Sequence, residues 1–308
     1  MRREVVKTIY EHALQDPRIF FLTADLGHAL MEEFQTNLPK QYVNIGVAEQ
    51  NMIGIAAGLA LSGNRVFVYS ITPFSTMRCY EQIKVDVCYQ NIGVVVIGVG
   101  AGYAYSNFGC THHAIEDIAI MRVLPNMKIF SPANPFEAGS ITKHLISQSY
   151  PAYLRIGKGG ESNPEKEYEF DINRGLIIRP GTDIAIFSTG AVVSEAVRTS
   201  QILEDKRIST EVISIHSLKP LDTELVTDRA ANRKAIFVIE EHNIIGGLGS
   251  AIAEVICESD IIIKPTFKRF GVPDKYVHLA GSQDFMRKQC GFSAEQVAEQ
   301  ILFLIKRT

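Results

Sequence analysis

The sequence predicts an α/β protein made of two doubly wound, open-sheet domains. Three observations lead there. Short apolar runs rich in β-branched residues alternate with segments of helical period. Those runs lack polar alternation, as do strands of a parallel sheet buried on both faces. A polar stretch, 158–174 (KGGESNPEKEYEFDINR), divides the alternation into two sets.

The first set opens on an amphipathic helix, MRREVVKTIYEHAL. Residues 18–22 (RIFFL) read as a strand, 48–61 as a helix of Ala, Gly and Ile, and 66–69 as a strand. A helix is expected over 78–89, then a valine-rich strand over 93–99. Helix 115–123, strand 127–131, helix 135–149 and strand 152–156 complete the set. After the polar stretch come strand 183–188, helix 191–203, strand 209–215, helix 223–231 and strand 235–240. Residues 246–257 begin glycine-rich and become a helix, 261–270 hold a last strand, and 293–306 form an amphipathic helix. The expected domains are 1–160 and 179–308, joined by a linker over 161–178. A chain of 308 residues suits two domains.

Charge and composition exclude several classes. Net charge is −3 with both signs interleaved, so no basic stripe serves a nucleic acid or an anionic membrane. Cys79, Cys88, Cys110, Cys257 and Cys290 form no CxxC pair, and no metal site is expected. An odd count fits reduced thiols and a cytoplasmic location. The charged N-terminus is no signal peptide. The longest apolar run, 92–99, suits a buried strand and not a membrane span.

Segment 44–63, NIGVAEQNMIGIAAGLALSG, carries the most chemistry. It places Glu49 in the first turn of a small-residue helix. One reading is an acid complementing the helix dipole. The other is a buried acid: burial disfavours a carboxylate's charged form, so such a group can share a proton with a heterocyclic nitrogen. Segment 98–113, GVGAGYAYSNFGCTHH, is glycine-rich without a dinucleotide fingerprint. The vicinal His112 and His113 lack a third metal ligand at a suggestive spacing. Asp25 follows a strand, where it serves either as a helix cap or at a ligand-gathering strand end. The GGLGS run, 246–250, opens a helix that in isolation would cradle an anion.

Six segments in order carry a resemblance: TADLGHAL, NIGVAEQNMIGIAAGLALSG, RCYEQIKVDV, GCTHH with IMRVLPNMKIFSPANP, YLRIGKG, and EEHNIIGGLGSAIAE. Together they resemble the pyrimidine-binding and C-terminal domains of the transketolase and deoxyxylulose-phosphate synthase family, across essentially the whole chain. The resemblance implies thiamine diphosphate as cofactor. It implies that Glu49 bonds N1′ of the aminopyrimidine, so that the 4′-nitrogen can take the proton from C2 of the thiazolium. It implies a stacking aromatic at Phe74, with Tyr80 as the second choice and a core role open for both. His112 matches a histidine that contacts substrate oxygens, with a plain loop histidine as the other reading. Asp25 matches a loop near the cofactor. Arg78, Arg155 and His28 match positions near the substrate, and Lys158 is a companion to Arg155. Arg78 is equally readable as a surface ion pair. Glu240, Glu241 and His242, expected after a strand, suggest a subunit-contact network.

Two departures stand out. Phe108 occupies the place of an acidic residue and Gly100 that of a histidine, so a less polar substrate pocket is implied. No GDG motif for binding the diphosphate through Mg²⁺ occurs in the sequence. That predicts a partner subunit carrying the GDG…N motif and an α₂β₂ assembly. The leading expectation is a split-transketolase subunit moving a two-carbon ketol unit between sugars or sugar phosphates. The alternatives are a carboligase that decarboxylates a 2-oxo acid such as pyruvate, the beta subunit of a 2-oxo acid dehydrogenase, and a non-catalytic scaffold.

Overall fold

The computed structural model describes residues 1–27, 29–163 and 168–306. His28, and residues 164–167 of the expected linker, lie outside the described residues. The strands are β1 (Ile19–Thr23), β2 (Tyr42–Asn44), β3 (Arg65–Ile71), β4 (Val94–Val99), β5 (Lys128–Phe130), β6 (Ala152–Ile156), β7 (Leu176–Arg179), β8 (Ile184–Ser188), β9 (Thr210–Ser214), β10 (Ser217–Lys219), β11 (Ala235–Asn243) and β12 (Thr266–Val272). They form two sheets, ordered β10-β5-β6-β4-β3-β1-β2 and β12-β11-β8-β9-β7. Pairing is parallel apart from β10 on β5 and β7 on β9, which are antiparallel edges.

Strands β3 and β4 show why the sheet is parallel and central. In β3, Val66 and Val68 face a cluster with Met52, Ile53 and Ala56 of the helix Glu49–Leu61. Phe67 and Tyr69 face the opposite cluster, with Val5 and Ile9 of helix Arg2–Ala13 and Ile141 and Leu145 of helix Pro135–Ile146. Apolar residues on both faces leave no polar alternation, the signature of a sheet covered by helices on each side. Each such side chain, fully buried, stabilises the fold by about 1.5–3 kcal/mol. Ala56 and Ala57 let the Glu49–Leu61 helix lie close against the sheet.

The structure departs from the expected elements in five places. The helix expected over 78–89 is broken into Tyr80–Gln82 and a wide π-turn, Ile83–Cys88, following a short helix Thr72–Thr76. Cys79 sits at the break, its thiol donating to the Ser75 carbonyl at 3.0 Å. The strand expected over 261–270 begins only at Thr266. Lys264 turns back onto the preceding helix, its Nζ donating to the Ser259 carbonyl at 2.8 Å, and Pro265 follows. Ile262 and Ile263 are left exposed. Glu240, Glu241 and His242 lie inside β11 and not after it. Finally, β7 occupies the end of the expected linker, and β10 crosses over to complete the first sheet.

The two sheets are tied by polar contacts from β11. Glu241 accepts from the backbone N–H of Tyr103 at 2.5 Å, from Gln283 at 2.7 Å and from Arg287 Nε at 2.5 Å. His242 Nε2 accepts from Ala119 N at 3.3 Å, and its Nδ1 faces the Asn243 carbonyl at 2.7 Å. That pattern assigns the neutral ring with the proton on Nδ1. These residues form an internal brace, which replaces the expected subunit-contact network. Glu240 accepts from Leu248 N at 2.8 Å and Gly249 N at 3.0 Å. The GGLGS helix start thus holds the chain's own carboxylate and presents no open anion cradle.

Candidate active site

Strand ends gather the site. In parallel open sheets the C-terminal strand ends project loops to one side, and ligands bind there. β1 leads to Asp25, β2 to the Glu49 helix, β3 to Phe74 and Arg78, and β4 to the loop holding His112.

Glu49 is the first residue of its helix and is 1% exposed. Its Oε1 accepts from Ser70 Oγ at 3.1 Å, and Oε2 pairs with Arg78 at 2.6 Å. Ser70 lies inside the apolar run of β3 and is buried. A polar residue within such a run was the available signal for it. The approach to Glu49 is braced by Asn44, whose Oδ1 accepts from Asp25 N and Gly46 N, both at 3.0 Å. The Asn44–Ile45–Gly46 spacing, with Gly46 at φ +76°, is an Asx-type turn legible in principle from sequence. Asp25 returns the contact, Oδ1 accepting from Asn44 Nδ2 at 3.2 Å. It is exposed, at φ +52°, and caps no helix, since the next begins at Glu32.

Phe74 lies in the short helix after β3, next to Glu49's ion-pair partner: the Arg78 guanidinium stands 4.3 Å from the Phe74 ring centroid. His112 meets Phe74 edge-on at 5.2 Å and Phe108 at 5.1 Å. Its Nδ1 lies 2.9 Å from Thr111 Oγ1. Burial pulls the His112 pKa down, which favours the neutral ring at pH 7. Tyr105 and Phe108 extend the aromatic rim, and Lys158 Nζ stands 5.5 Å over the Tyr105 ring. Glu49, Arg78, Phe74 and His112 therefore form one continuous chain of contacts.

Other expected residues are elsewhere. Tyr80 donates its hydroxyl to the Ile120 carbonyl at 2.8 Å and packs on the core, so it is not part of this chain of contacts. Arg155 is 3% exposed and committed: Nε bonds Asp117 Oδ2 at 2.7 Å, and one terminal nitrogen donates to the Ala114 and Glu241 carbonyls, each at 3.0 Å. Arg155 Nε and one terminal nitrogen are thus held inside the protein, and the expected substrate contact would fall to its other terminal nitrogen. Asp117, the buried partner of that arginine, was missed: it lies far off in sequence, with no local signature. His113 turns away from His112 and meets Tyr103 edge-on at 5.0 Å. Among the described residues no three His, Cys, Asp or Glu side chains stand close enough to hold a metal ion. No described helix is long and apolar enough to cross a membrane.

Two docked open-sheet domains, with an acid and an aromatic shelf at the strand ends of the first, define a class: a two-domain α/β protein with a ligand-type site at the strand ends of its first sheet. Residues 1–160 match the family description "Transketolase, pyrimidine binding domain", and residues 173–297 match "Transketolase, C-terminal domain". The chain belongs to the transketolase family, whose members depend on thiamine diphosphate. It is 38% identical to an apulose-4-phosphate transketolase subunit of Actinobacillus succinogenes, over 90% of this chain and 88% of that one. It is 32% identical to the protein of the same name from Phocaeicola vulgatus, over 99% and 97%. Among solved structures, a split-gene transketolase described as an inactive β4 tetramer superposes with a TM-score of 0.87. That structure is 32% identical, with 99% of this chain and 97% of that one covered.

Proposed function

We propose that this chain is the pyrimidine-binding half of a split transketolase. It would transfer a two-carbon ketol unit between sugars or sugar phosphates once joined to a diphosphate-binding subunit. The observation that carries the reading is the Glu49 site: a buried carboxylate beside an aromatic shelf on which a flat, nitrogen-rich group, the Arg78 guanidinium, already rests. An aminopyrimidine is likewise flat and rich in nitrogen, and can face a carboxyl group through a ring nitrogen while its plane lies on an aromatic shelf.

In this reading Glu49 holds a proton against a ring nitrogen, and Ser70 fixes the carboxylate's rotamer. Phe74 sets the ring plane and keeps water from it. His112, neutral and anchored through Nδ1, offers its other ring nitrogen to substrate oxygens. Asp25 and Asn44 hold the loop that leads into Glu49. Bound thiamine diphosphate supplies an electron sink for the transferred unit. Mg²⁺ and the diphosphate fall to the partner subunit, because this sequence has no GDG motif. The solved split-gene relative, inactive as a tetramer of one subunit type, supports incompleteness of the single chain. We propose an α₂β₂ enzyme.

The test is reconstitution. The chain, its diphosphate-binding partner, thiamine diphosphate and Mg²⁺ should transfer ketol units from a ketose phosphate to an aldose phosphate. Glu49→Gln should lower turnover by about 10²–10⁴, the span of general acid–base contributions. Full turnover by that variant would end the assignment. A second reading, decarboxylation of a 2-oxo acid before transfer, is favoured by one observation: Phe108, 61% exposed, puts an apolar ring beside His112. CO₂ release from pyruvate by the same mixture would select it.

A further inference from the structure

Both oxygens of Glu49 already have partners. Ser70 takes Oε1, and Arg78 takes Oε2 at 2.6 Å. The same guanidinium covers Phe74 at 4.3 Å. The Arg78 guanidinium, over the Phe74 face and bonded to Glu49 Oε2, occupies the two positions that the proposed role of the site assigns to an aminopyrimidine ring. Two flat groups cannot occupy one side of Phe74 and one carboxylate oxygen together.

We infer that Arg78 is a placeholder that competes with the cofactor ring for Glu49 and Phe74, so that loading requires the arginine to swing out. This rests on the reading of Glu49 given above and deepens it. The geometry suits exchange. The Glu49 side chain is 2% exposed, whereas that of Arg78 is 42% exposed and has a direct path to water. Glu49 is the one carboxylate within ion-pair distance of Arg78 among the described residues. Arg78 stands in the turn between helix Thr72–Thr76 and the short helix Tyr80–Gln82, outside either helix. While seated, the guanidinium keeps the buried carboxylate paired, since a buried charge without a partner is strongly unfavourable. When displaced, it becomes a free cation at the mouth of the site.

The competition has a numerical consequence. A ligand that binds only the open form has its apparent Kd raised by the reciprocal of the open fraction. Removing the competitor therefore tightens binding. The experiment is calorimetric titration of thiamine diphosphate, with Mg²⁺ present, into the complex of this chain and its partner subunit. The wild type, Arg78→Gln, Glu49→Gln and the double variant are compared. Arg78→Gln is expected to lower Kd by about three- to tenfold and to lower the melting temperature of the cofactor-free chain. The tightening should vanish in the Glu49→Gln background. Arg78→Lys, which keeps the charge but loses the flat stacking face, should fall between wild type and Gln.

If Arg78→Gln leaves Kd unchanged or weakens it while Glu49→Gln weakens binding, the placeholder is refuted and Glu49 keeps its role. If neither substitution at either position moves Kd, the reading of the site itself fails, and the inference with it.

Discussion

Glu241 reaches out of the second sheet to accept the backbone N–H of Tyr103, at the start of the loop that carries His112 in the first domain. The separation is 2.5 Å and both residues are buried. The loop that frames the candidate site is thus set by a carboxylate of the other domain. Gly102 makes this approach possible. It sits at φ +60°, and an added Cβ would run into the Glu241 carboxylate.

Gly102→Ala should therefore act at two levels. It places a β-carbon in the left-handed region and overpacks the Glu241 contact, for a combined loss of about 2–4 kcal/mol. Chemical denaturation measures the loss. Amide exchange over 101–115 should accelerate ahead of the rest of the first domain. Unchanged exchange there would show that the loop is not held by Glu241.

Arg155→Met should destabilise the fold by about 3–5 kcal/mol, the cost of stranding a buried charge. It leaves Asp117 with only the Tyr153 hydroxyl, at 2.6 Å, among its present partners. The urea midpoint reads this. A variant with an unchanged midpoint but a raised KM for phosphorylated substrates would restore Arg155 to the substrate site.

Ser70→Ala removes the donor to Glu49 Oε1 and should cost about 1.5–3 kcal/mol, the range for hydrogen bonds to charged groups. Global stability of the cofactor-free chain is the readout. No change would mean that solvent or another donor replaces the hydroxyl, and that Glu49 is less sequestered than its burial indicates.

The Glu240–His242 pair gives a pH prediction with opposing signs. Burial pushes the Glu240 carboxyl up to about 7 and pulls His242 down to about 4. Between the unfolded and folded values, folded Glu240 binds more protons than its unfolded form, so its contribution falls as pH rises toward 7. Folded His242 binds fewer, so its contribution falls as pH drops from about 6.5 toward 4. From roughly pH 4.5 to 6.5 the two slopes cancel. His242→Gln should unmask the first slope, with stability declining as pH rises across that window by up to about 1.4 kcal/mol per unit. A flat profile in the variant would show that Glu240 stays ionised throughout.

How far the sequence reached depended on where each signal is stored. The central strands were legible because Val66, Val68 and the valines of β4 are apolar on both faces, a local property. Glu49 and Phe74 were singled out through six motifs in order, and the structure links the two through the Arg78 guanidinium. The buried pairing of Arg155 with Asp117 was not legible because Asp117 belongs to another element. A guanidinium at a strand end looks the same whether it faces substrate or a buried carboxylate. The π-turn at Ile83–Cys88 was hidden by normal helical periodicity. β10 was invisible because three residues carry no pattern, and its pairing exists only once β5 is in place.

That short strand bears on how the polypeptide can be divided. Ser217–Lys219 lies in the second half of the chain yet hydrogen-bonds to β5, closing one flank of the larger sheet. A fragment cut in the linker would leave β5 with a bare row of amides and carbonyls, a template for pairing with other molecules. Recombining these halves with those of relatives at the linker should yield sticky, poorly soluble hybrids unless Ser217–Lys219 travels with the first half.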